Sequence, residues 1–448
     1  MLLLAALALC APQDSPAPPP APVELALDRD AQWGQWRGPR MTGWSPTAEP
    51  PLAWSAESNL RWTAPVPGLG HGSPVVWGDR VYVLSAVPTG EAFAPAPDLS
   101  PGAHDNAPIT HAHRFVALAY DRASGALVWE RTLRTELPHE RYHISASLAS
   151  ASPITDGERV FAFFGSRGLY ALDREGELLW ERDLGTMQIK HGHGEGASPV
   201  LHEDTLVVVW DHEGQSRLLA IDATSGETRW EVEREEVTSW SSPIVVETSE
   251  GAQVVVNGTT RVRGYDLESG AVIWDCPGLS HNVVASPVYA DGLLFAGSSY
   301  EKQALLALRL EGARGALEQS EHLAWFKRRR TPYVPSLLLT PTALYYLQHY
   351  QGILSSVEPS TGAEPTHPMR LPGIGDVYAS PVAADGRVYI SDLSGRTLVL
   401  SDELPPRYLG LNQLPDRFHA SAALVDGEIF LRGEHALYCI AEPPSSED

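Results

Sequence analysis

The segment KHGHGEG, residues 190–196, brings three potential metal ligands together within a few residues. Its two imidazoles and one carboxylate, at His191, His193 and Glu195, are groups that suit zinc, copper or iron. A His-x-His pair on an extended segment points both rings to one side, but the surrounding glycines also allow a flexible loop. The pattern therefore supports two interpretations, a metal site and a solvated Gly-rich loop.

This segment precedes a Ser-Pro pair, and seven further segments stand before the same pair or a degenerate copy of it. Six of the 16 histidines lie in five of these segments, and the other three segments carry Trp, Tyr, Asp or Arg. Aromatic faces can stack on sugars or other rings, and His or Asp can form hydrogen bonds. The candidate ligand-binding residues are His71, Arg141, His143, His193, Glu195, Trp240, His281, Asn282, Arg330, Tyr333, Asp376, Tyr378, Arg417 and His419. A ligand-binding pocket fits this pattern. Side chains that bind no ligand and only form hydrogen bonds with exposed backbone groups fit it as well.

Motifs of established catalytic chemistry do not stand out. The sequence has no recognisable nucleophile elbow, phosphate-binding loop or paired catalytic carboxylates. We therefore assign no catalytic residue and favour a non-catalytic protein.

Internal repeats indicate which elements position these segments. The hairpin frame AIDATSGETRW, residues 220–230, recurs at 119–129 and 264–274, and one residue shorter at 171–180. Eight units carry the Ser-Pro element, and their starts are roughly 40 to 50 residues apart except for the first pair, a spacing typical of four-stranded propeller blades. The units begin at Ser73, Ser152, Ser198, Ser242, Ser286, Pro335, Ser380 and Ser421. The prediction is an all-β, eight-bladed β-propeller with four-stranded antiparallel blades. The segments before the Ser-Pro pairs would then surround one mouth of the central channel, and the predicted ligand site is the funnel that they form there.

Two features depart from a uniform repeat. The first unit is longer, and the extra residues, about 88–113, are rich in Pro, Ala and His, which predicts an irregular surface loop. The last unit stops after three strands. Because an open blade would leave an unpaired edge, we expect the strand around Trp62, residues 59–66, to complete it.

The chain outside the repeats divides by composition. Residues 1–11 form a signal-like apolar segment, 12–32 a Pro-rich linker, 33–58 an N-terminal extension, 59–443 the propeller and 444–448 a tail. The first segment predicts export to the periplasm or outer cell envelope, and its Cys10 is a candidate lipid anchor in a box similar to that of bacterial lipoproteins. No other segment could span a membrane. We expect a monomer.

Charge and cysteine content exclude some functions. The formal net charge of −23 argues against a nucleic-acid partner. The basic cluster KRRR, residues 327–330, is the exception, and a solvated loop and an anion site both fit it. Cys276 and Cys439 belong to blades on opposite sides of the ring, so we expect two buried thiols and no disulfide.

The frame Ala-x-Asp-x-x-Ser-Gly-x-x-x-Trp, at Ala119 and Ala220, is similar to the tryptophan-docking repeat of pyrroloquinoline-quinone-like (PQQ-like) eight-bladed propellers. The segment WGQWRGPRMTGWSP, residues 33–46, resembles the opening of exported propellers of this type from planctomycete-like bacteria. The resemblance implies that docking tryptophans lie between neighbouring blades, at Trp62, Trp129, Trp180, Trp230, Trp274 and Trp325.

The resemblance covers enzymes as well as non-catalytic proteins. Quinoprotein dehydrogenases of this group carry adjacent cysteines, a calcium site and a catalytic Asp, and this sequence has no adjacent cysteines. We therefore expect no PQQ cofactor. BamB-like relatives are scaffolds, so the favoured function is an exported ligand-binding or protein–protein scaffold module, with an envelope protein or a small-molecule or glycan ligand as partner. The alternative is an enzyme that uses the funnel residues on a carbohydrate or redox substrate.

Overall fold

A computed structural model describes residues 28–443. The signal-like segment with Cys10, most of the Pro-rich linker and the C-terminal tail lie outside the described residues. The described chain forms eight sheets of an all-β propeller, which confirms the predicted fold. Short 3-10 turns at Arg29–Ala31, Gly165–Arg167 and Lys190–Gly192 are the helical elements among these residues. No helix of residues 28–443 is long and apolar enough to cross a membrane.

Each blade is an antiparallel sheet of four strands in sequence order, except where noted below. The N-terminal strand is β1 (Leu60–Pro65). Blade 1 contains β2 (Val75–Trp77), β3 (Arg80–Thr89), β5 (Ala112–Asp121) and β6 (Leu127–Glu136), with β4 (Asn106–Ala107) and β7 (Tyr142–His143) as a separate pair. Blade 2 contains β8 (Ile154–Thr155), β9 (Arg159–Phe163), β10 (Leu169–Asp173) and β11 (Leu178–Arg182). Blade 3 contains β12 (Val200–His202), β13 (Thr205–Trp210), β14 (Ser216–Asp222) and β15 (Thr228–Arg234). Blade 4 contains β16 (Ile244–Thr248), β17 (Gly251–Asn257), β18 (Arg261–Asp266) and β19 (Val272–Pro277).

The second half of the ring repeats this arrangement. Blade 5 contains β20 (Val288–Ala290), β21 (Leu293–Ser298), β22 (Ala304–Arg309) and β24 (Leu323–Lys327), with β23 (Gly315–Ala316) inserted before the last strand. Blade 6 contains β25 (Leu338–Leu339), β26 (Leu344–Leu347), β27 (Ile353–Val357) and β28 (Met369–Arg370). Blade 7 contains β29 (Val382–Ala384), β30 (Arg387–Ser391), β31 (Arg396–Ser401) and β32 (Tyr408–Gln413). Blade 8 contains β33 (Ala423–Val425), β34 (Glu428–Arg432) and β35 (Ala436–Ala441).

The N-terminal strand closes the ring, as predicted. Strand β1 pairs antiparallel with β35, with Thr63 opposite Tyr438 and Pro65 opposite Ala436. Blade 8 thus gains its fourth strand from the other end of the chain, and no open three-stranded blade is left among the described residues.

The repeated hairpin turn has a local cause. The Asp222 carboxylate accepts hydrogen bonds from the N–H groups of Thr224 and Ser225, at 3.0 and 2.8 Å. Gly226 then adopts φ of 74°, a conformation that few residues other than Gly accept. Asp, Ser and Gly recur at fixed spacing because this turn requires them.

Five docking tryptophans join consecutive blades as expected. The indole N–H groups of Trp62, Trp129, Trp180, Trp230 and Trp325 donate to backbone carbonyls of the next blade at 2.8–3.0 Å. Each of these indoles also lies against the turn glycine of that blade, as Trp180 does against Gly226. The turn glycine leaves room for the ring, since a Cβ atom at Gly226 would lie 2.7 Å from the Trp180 indole.

Trp274 departs from this pattern. Its indole donates to the Gln253 side chain of its own blade at 2.8 Å, although it remains fully buried between blades 4 and 5. The reason lies in blade 5, whose β22–β24 connection is long and lacks the Asp-x-x-Ser-Gly turn. Instead, β23 in that connection pairs parallel with β19, with Gly315 opposite Trp274, and makes blade 4 a five-stranded sheet.

The Ser residues of the Ser-Pro units form a belt around the channel. At seven of the eight blade junctions, the backbone N–H of one Ser donates to the hydroxyl of the equivalent Ser in the next blade, at 2.8–3.0 Å. The members are Ser73, Ser152, Ser198, Ser242, Ser286, Ser336, Ser380 and Ser421. The repeated Ser is thus a structural link between blades.

The N-terminal extension crosses the far face of the ring, opposite the mouth. Trp33 forms a bridge to Val76 of blade 1, and Ser45 donates to Ala383 of blade 7 at 2.9 Å. Between them Arg37, 2% exposed, donates to the carbonyls of Thr42, Leu337 and Pro381, and burial lowers its pKa to about 9. The extension therefore braces blades that are distant around the ring.

The insertion is more ordered at its ends than predicted. Strands β3 and β5 extend into it as a long hairpin, pairing Pro88 with His113 and Thr89 with Ala112. At its tip, β4 pairs antiparallel with β7, which anchors the insertion on the mouth side of the ring. The irregular loop is therefore shorter than residues 88–113.

The two cysteines of the propeller are buried free thiols, Cys276 in blade 4 and Cys439 in blade 8. Burial raises the pKa of each thiol to about 12, so both stay protonated and unreactive at neutral pH.

Candidate functional site

The central channel forms a blind funnel with a volume of about 420 Å³. Seven serines of the belt line its narrow part, and Trp36, from the N-terminal extension, lies at the far end. The wide end is the mouth, where the loops before the first strands gather. A funnel closed at one end is suited to hold a small ligand.

Most of the predicted site residues lie on the funnel wall. The members that line it are His71, His143, His191, His193, Glu195, Trp240, Asn282, Tyr333, Tyr378 and His419. They come from all eight blade junctions, so the ring geometry alone brings them together.

Five predicted residues lie outside the lining: Arg141, His281, Arg330, Asp376 and Arg417. All but Arg141 are exposed to solvent at the rim. Arg141 lies 3.9 Å from Asp98, and Arg330 and Arg417 pair with acidic residues. Charged side chains on these loops turn outward because burial without a full set of partners is costly. The basic cluster likewise contains two paired side chains, Lys327 and Arg330, both on Glu364.

One side of the mouth is an arc of stacked rings. Tyr333 stacks on His349 with ring centroids 4.9 Å apart and planes 11° apart, and Tyr350 stacks on Tyr378 at 5.4 Å. The arc then passes through Tyr378 to His419, 5.9 Å away. Burial raises the pKa of Tyr333 to about 12, so its phenol stays neutral. This arc offers flat apolar faces edged with hydroxyl groups.

The opposite side is a cluster of four imidazoles, which we call the imidazole cluster: His104, His143, His191 and His193. The ring centroid of His193 lies 4.7, 4.8 and 5.3 Å from those of His104, His143 and His191. Burial, together with the neighbouring imidazoles, lowers the pKa of His193 to about 4, and burial lowers that of His143. His193 is therefore a neutral hydrogen-bonding group at neutral pH.

The predicted metal set of His191, His193 and Glu195 does not form. The Glu195 carboxylate turns away from the imidazoles and accepts from Ser166, through its N–H at 2.7 Å and its hydroxyl at 2.5 Å. It also pairs with the buried Arg167 at 3.1 Å. In this structure the carboxylate of Glu195 is thus held by Ser166 and Arg167 and does not lie beside the two imidazoles.

Four buried polar atoms on the funnel wall have no hydrogen-bond partner in the described protein: His71 Nε2, His193 Nε2, Asn282 Oδ1 and His419 Nδ1. His71 bonds the Ser145 carbonyl through Nδ1, which must therefore carry the proton and leave a lone pair on Nε2. His419 bonds the Glu434 carboxylate through Nε2, which leaves a lone pair on Nδ1. His71 Nε2, His419 Nδ1 and Asn282 Oδ1 are thus acceptors. Unpaired buried acceptors are costly, so this part of the funnel wall is complementary to a ligand that donates hydrogen bonds.

Several lining residues were not expected from the sequence. His104 comes from the insertion, where we had predicted no site residue, and Trp36 comes from the N-terminal extension. Tyr300 and Tyr350 lie in the β21–β22 and β26–β27 turns. The two tyrosines could have been predicted from the topology. In each blade, the turn between the second and third strands lies on the same face of the ring as the loop before the first strand.

A family model described as outer membrane protein assembly factor BamB matches residues 113–362, more than half of the chain. The chain belongs to this family. No curated protein matches the sequence.

Solved structures agree on the fold. BamB from Moraxella catarrhalis is 14% identical, with a TM-score of 0.52, covering 80% of this chain and 98% of its own. A europium-containing methanol dehydrogenase is 12% identical, with a TM-score of 0.61, covering 91% of this chain and 90% of its own. A quinohemoprotein alcohol dehydrogenase from Comamonas testosteroni is 11% identical, with a TM-score of 0.58, covering 94% and 82%. At these identities the likeness concerns the fold alone, and it includes both a BamB and dehydrogenases.

The fold therefore raises the question of a quinone cofactor. PQQ is a polyanion, and no Arg or Lys is among the described residues that line the funnel, which instead include Asp105. The resemblance would also call for a pair of adjacent cysteines, whereas Cys276 and Cys439 are buried in separate blades. The described lining residues therefore do not fit PQQ.

Proposed function

We propose that this protein is an exported, monomeric, non-catalytic binding module of the cell envelope that holds a hydroxyl-bearing ring ligand, of the glycan class, in its axial funnel. The observation that supports this most directly is the set of four unpartnered polar atoms on the wall of a blind funnel. Hydroxyl groups of a sugar would supply the missing donors.

The aromatic arc supports the same class of ligand. Sugar rings present apolar C–H faces that pack on aromatic rings, and Tyr333, Tyr350 and Tyr378 offer such faces at the mouth. The absence of Arg and Lys from the described lining disfavours phosphorylated or polycarboxylate ligands. A neutral glycan therefore matches the wall better than an anionic metabolite.

The test is a glycan panel followed by calorimetric titration with the full chain. Tyr333→Ala should weaken binding of a captured glycan about two- to tenfold, since an aromatic contact is worth roughly 0.5–1.5 kcal/mol. Tyr408→Ala is the matched control, because Tyr408 is 56% exposed in β32, outside the funnel lining. If no glycan binds, or if both variants bind alike, the proposed ligand class is wrong. Turnover of the glycan on incubation would instead favour the enzymatic alternative.

A protein–protein scaffold role is the second candidate. Apolar side chains are exposed near the insertion, with Leu99 at 87%, Leu137 at 57% and Ile144 at 64%. Exposed apolar side chains that lie close together are common at protein interfaces. Replacing Leu99 with Asp should abolish capture of an envelope partner and leave glycan binding unchanged if this surface is the scaffold.

A further inference from the structure

At the junction of blades 8 and 1, two histidines of the funnel wall converge with a carboxylate behind them. One ligand atom from each of His71, His419 and Glu434 lies within 4.8 Å of the other two. We propose that these three residues bind a divalent transition metal of the zinc class, with the remaining coordination positions facing the funnel. The proposed ion shares His71 and His419 with the proposed glycan site, but it can be tested without a glycan.

The fold brings the three residues together at the closing junction. His71 stands two residues before Ser73, and His419 stands two residues before Ser421, so they occupy the same position in neighbouring blades. Glu434 lies in the β34–β35 turn of blade 8, where its N–H donates to the Asp416 carboxylate at 3.0 Å. The carboxylate is therefore carried on a fixed turn directly beside His419, with Oε1 at 3.2 Å from Nε2.

The imidazole of His71 already has the tautomer and the orientation that metal coordination requires. Its Nδ1–H donates to the Ser145 carbonyl at 3.2 Å, which orients the ring and leaves the lone pair of the buried Nε2 without a protein partner. Metal-ligating histidines commonly hold a backbone carbonyl or carboxylate through the other ring nitrogen in this way. His419 also keeps a buried nitrogen, Nδ1, without a partner in the described protein.

The donor set suits zinc. Two imidazoles and one carboxylate form the ligand set of several zinc sites that retain an open position. Both histidines line the funnel and Glu434 stands behind them, so the open position faces the funnel. An ion here could be reached from the mouth.

Binding must change the arrangement of the two rings. His71 and His419 are stacked with centroids 3.9 Å apart and planes only 4° apart. An ion at about 2.0–2.1 Å from each nitrogen lies in the plane of each ring, which two parallel planes cannot both satisfy. We therefore expect His419 to rotate out of the stack, exchanging its hydrogen bond to Glu434 for a shared contact with the ion.

Arg417 competes for the same carboxylate. Its Nε lies 3.3 Å from Glu434 Oε1, and its side chain is 56% exposed, so it can move into solvent when an ion binds. Removing this cation should therefore strengthen metal binding, which gives the proposal a gain-of-affinity test.

The experiment uses the untagged full chain, stripped with a chelator and titrated with Zn²⁺ in the absence of any glycan. We expect one equivalent to bind, with Glu434→Gln weakening the affinity at least tenfold and Arg417→Gln strengthening it. Co²⁺ should give the visible absorption of a low-symmetry site in the parent chain and lose it in Glu434→Gln. His349→Ala, which removes another imidazole of the mouth, is the control and should bind Zn²⁺ as the parent does.

Two results would overturn the proposal. One is the absence of stoichiometric Zn²⁺ binding to a chain whose circular dichroism shows it folded. The other is equal Zn²⁺ affinity in the parent, Glu434→Gln and Arg417→Gln. Because no glycan is present, neither result bears on the proposed ligand of the funnel.

Discussion

The backbone N–H of Ser198 donates to the hydroxyl of Ser242 in the next blade, 2.8 Å away. Because both groups are buried, Ser242→Ala leaves an N–H without a partner. We expect the free energy of unfolding to fall by about 1–3 kcal/mol, measured by chemical denaturation.

The neighbouring Ser241 supplies a matched control. Its hydroxyl is buried without a hydrogen-bond partner in the described protein, so Ser241→Ala removes no hydrogen bond. We expect this variant to be as stable as the parent, or slightly more so. Equal losses in the two variants would mean that the serine belt does not link the blades.

Strand β1 should contribute to stability separately from the N-terminal extension. A chain lacking residues 1–66 loses both, whereas a chain lacking residues 1–58 keeps β1 and its pairing with β35. We expect the shorter chain to melt at a clearly lower temperature than the longer one, measured by calorimetry. Equal melting temperatures of the two truncated chains would show that ring closure by β1 adds no stability.

The buried pair of Arg234 and Asp211 should be sensitive to the loss of either partner. The side chains are 1% and 0% exposed and meet at 2.7 Å. Asp211→Asn leaves the guanidinium buried without its counter-ion and should cost about 3–5 kcal/mol of unfolding free energy. Arg234→Met combined with Asp211→Leu should recover most of this loss.

An exposed ion pair gives the comparison. Glu177, 70% exposed, pairs with Arg131 at 2.7 Å, and Glu177→Gln should leave stability nearly unchanged because solvent screens the pair. A large loss of stability in Glu177→Gln, or a small one in Asp211→Asn, would contradict the view that burial decides how much an ion pair matters for stability.

Stability should decrease between about pH 4.5 and 7 through Glu140. Burial raises the pKa of its carboxyl to about 7 from a usual value near 4.5, although the Ile189 N–H donates to it. In this window the folded chain keeps a proton that the unfolded chain has lost, so a rise in pH favours unfolding. Glu140→Gln should be more stable than the parent at pH 8 and equal at pH 4.5, by thermal unfolding. The opposite ranking at pH 8 would refute the raised pKa.

The ring and its closure could be predicted because their signals are local and repeated. A hairpin that needs Asp, Ser and Gly at fixed spacing marks each blade, and Trp62 marks the displaced strand. Trp274 shows the limit of this reasoning. Its own frame is intact, but its contact depends on the next blade, where a long connection replaces the docking turn.

The residues that line the funnel were predicted best where their distance from the belt serine decides which way the side chain points. His71, Trp240, Tyr378 and His419 all stand two residues before the belt serine, and all four line the funnel. Residues further from that serine, such as His281, sit on loops of different lengths, so the same residue type can face the solvent. His104 reaches the funnel only because the insertion pairs with β7, a contact that no repeat encodes.

The pairing of β1 with β35 also has a consequence for the order of folding. The first strand to emerge during synthesis has its partner among the last residues made, so it must wait while seven blades form. Until the C-terminal strands have been made, the nascent protein is an open ring in which β1 has no partner strand. The gap between blades 8 and 1 would therefore stay open during synthesis, and the contacts of the N-terminal extension across the far face would be completed last.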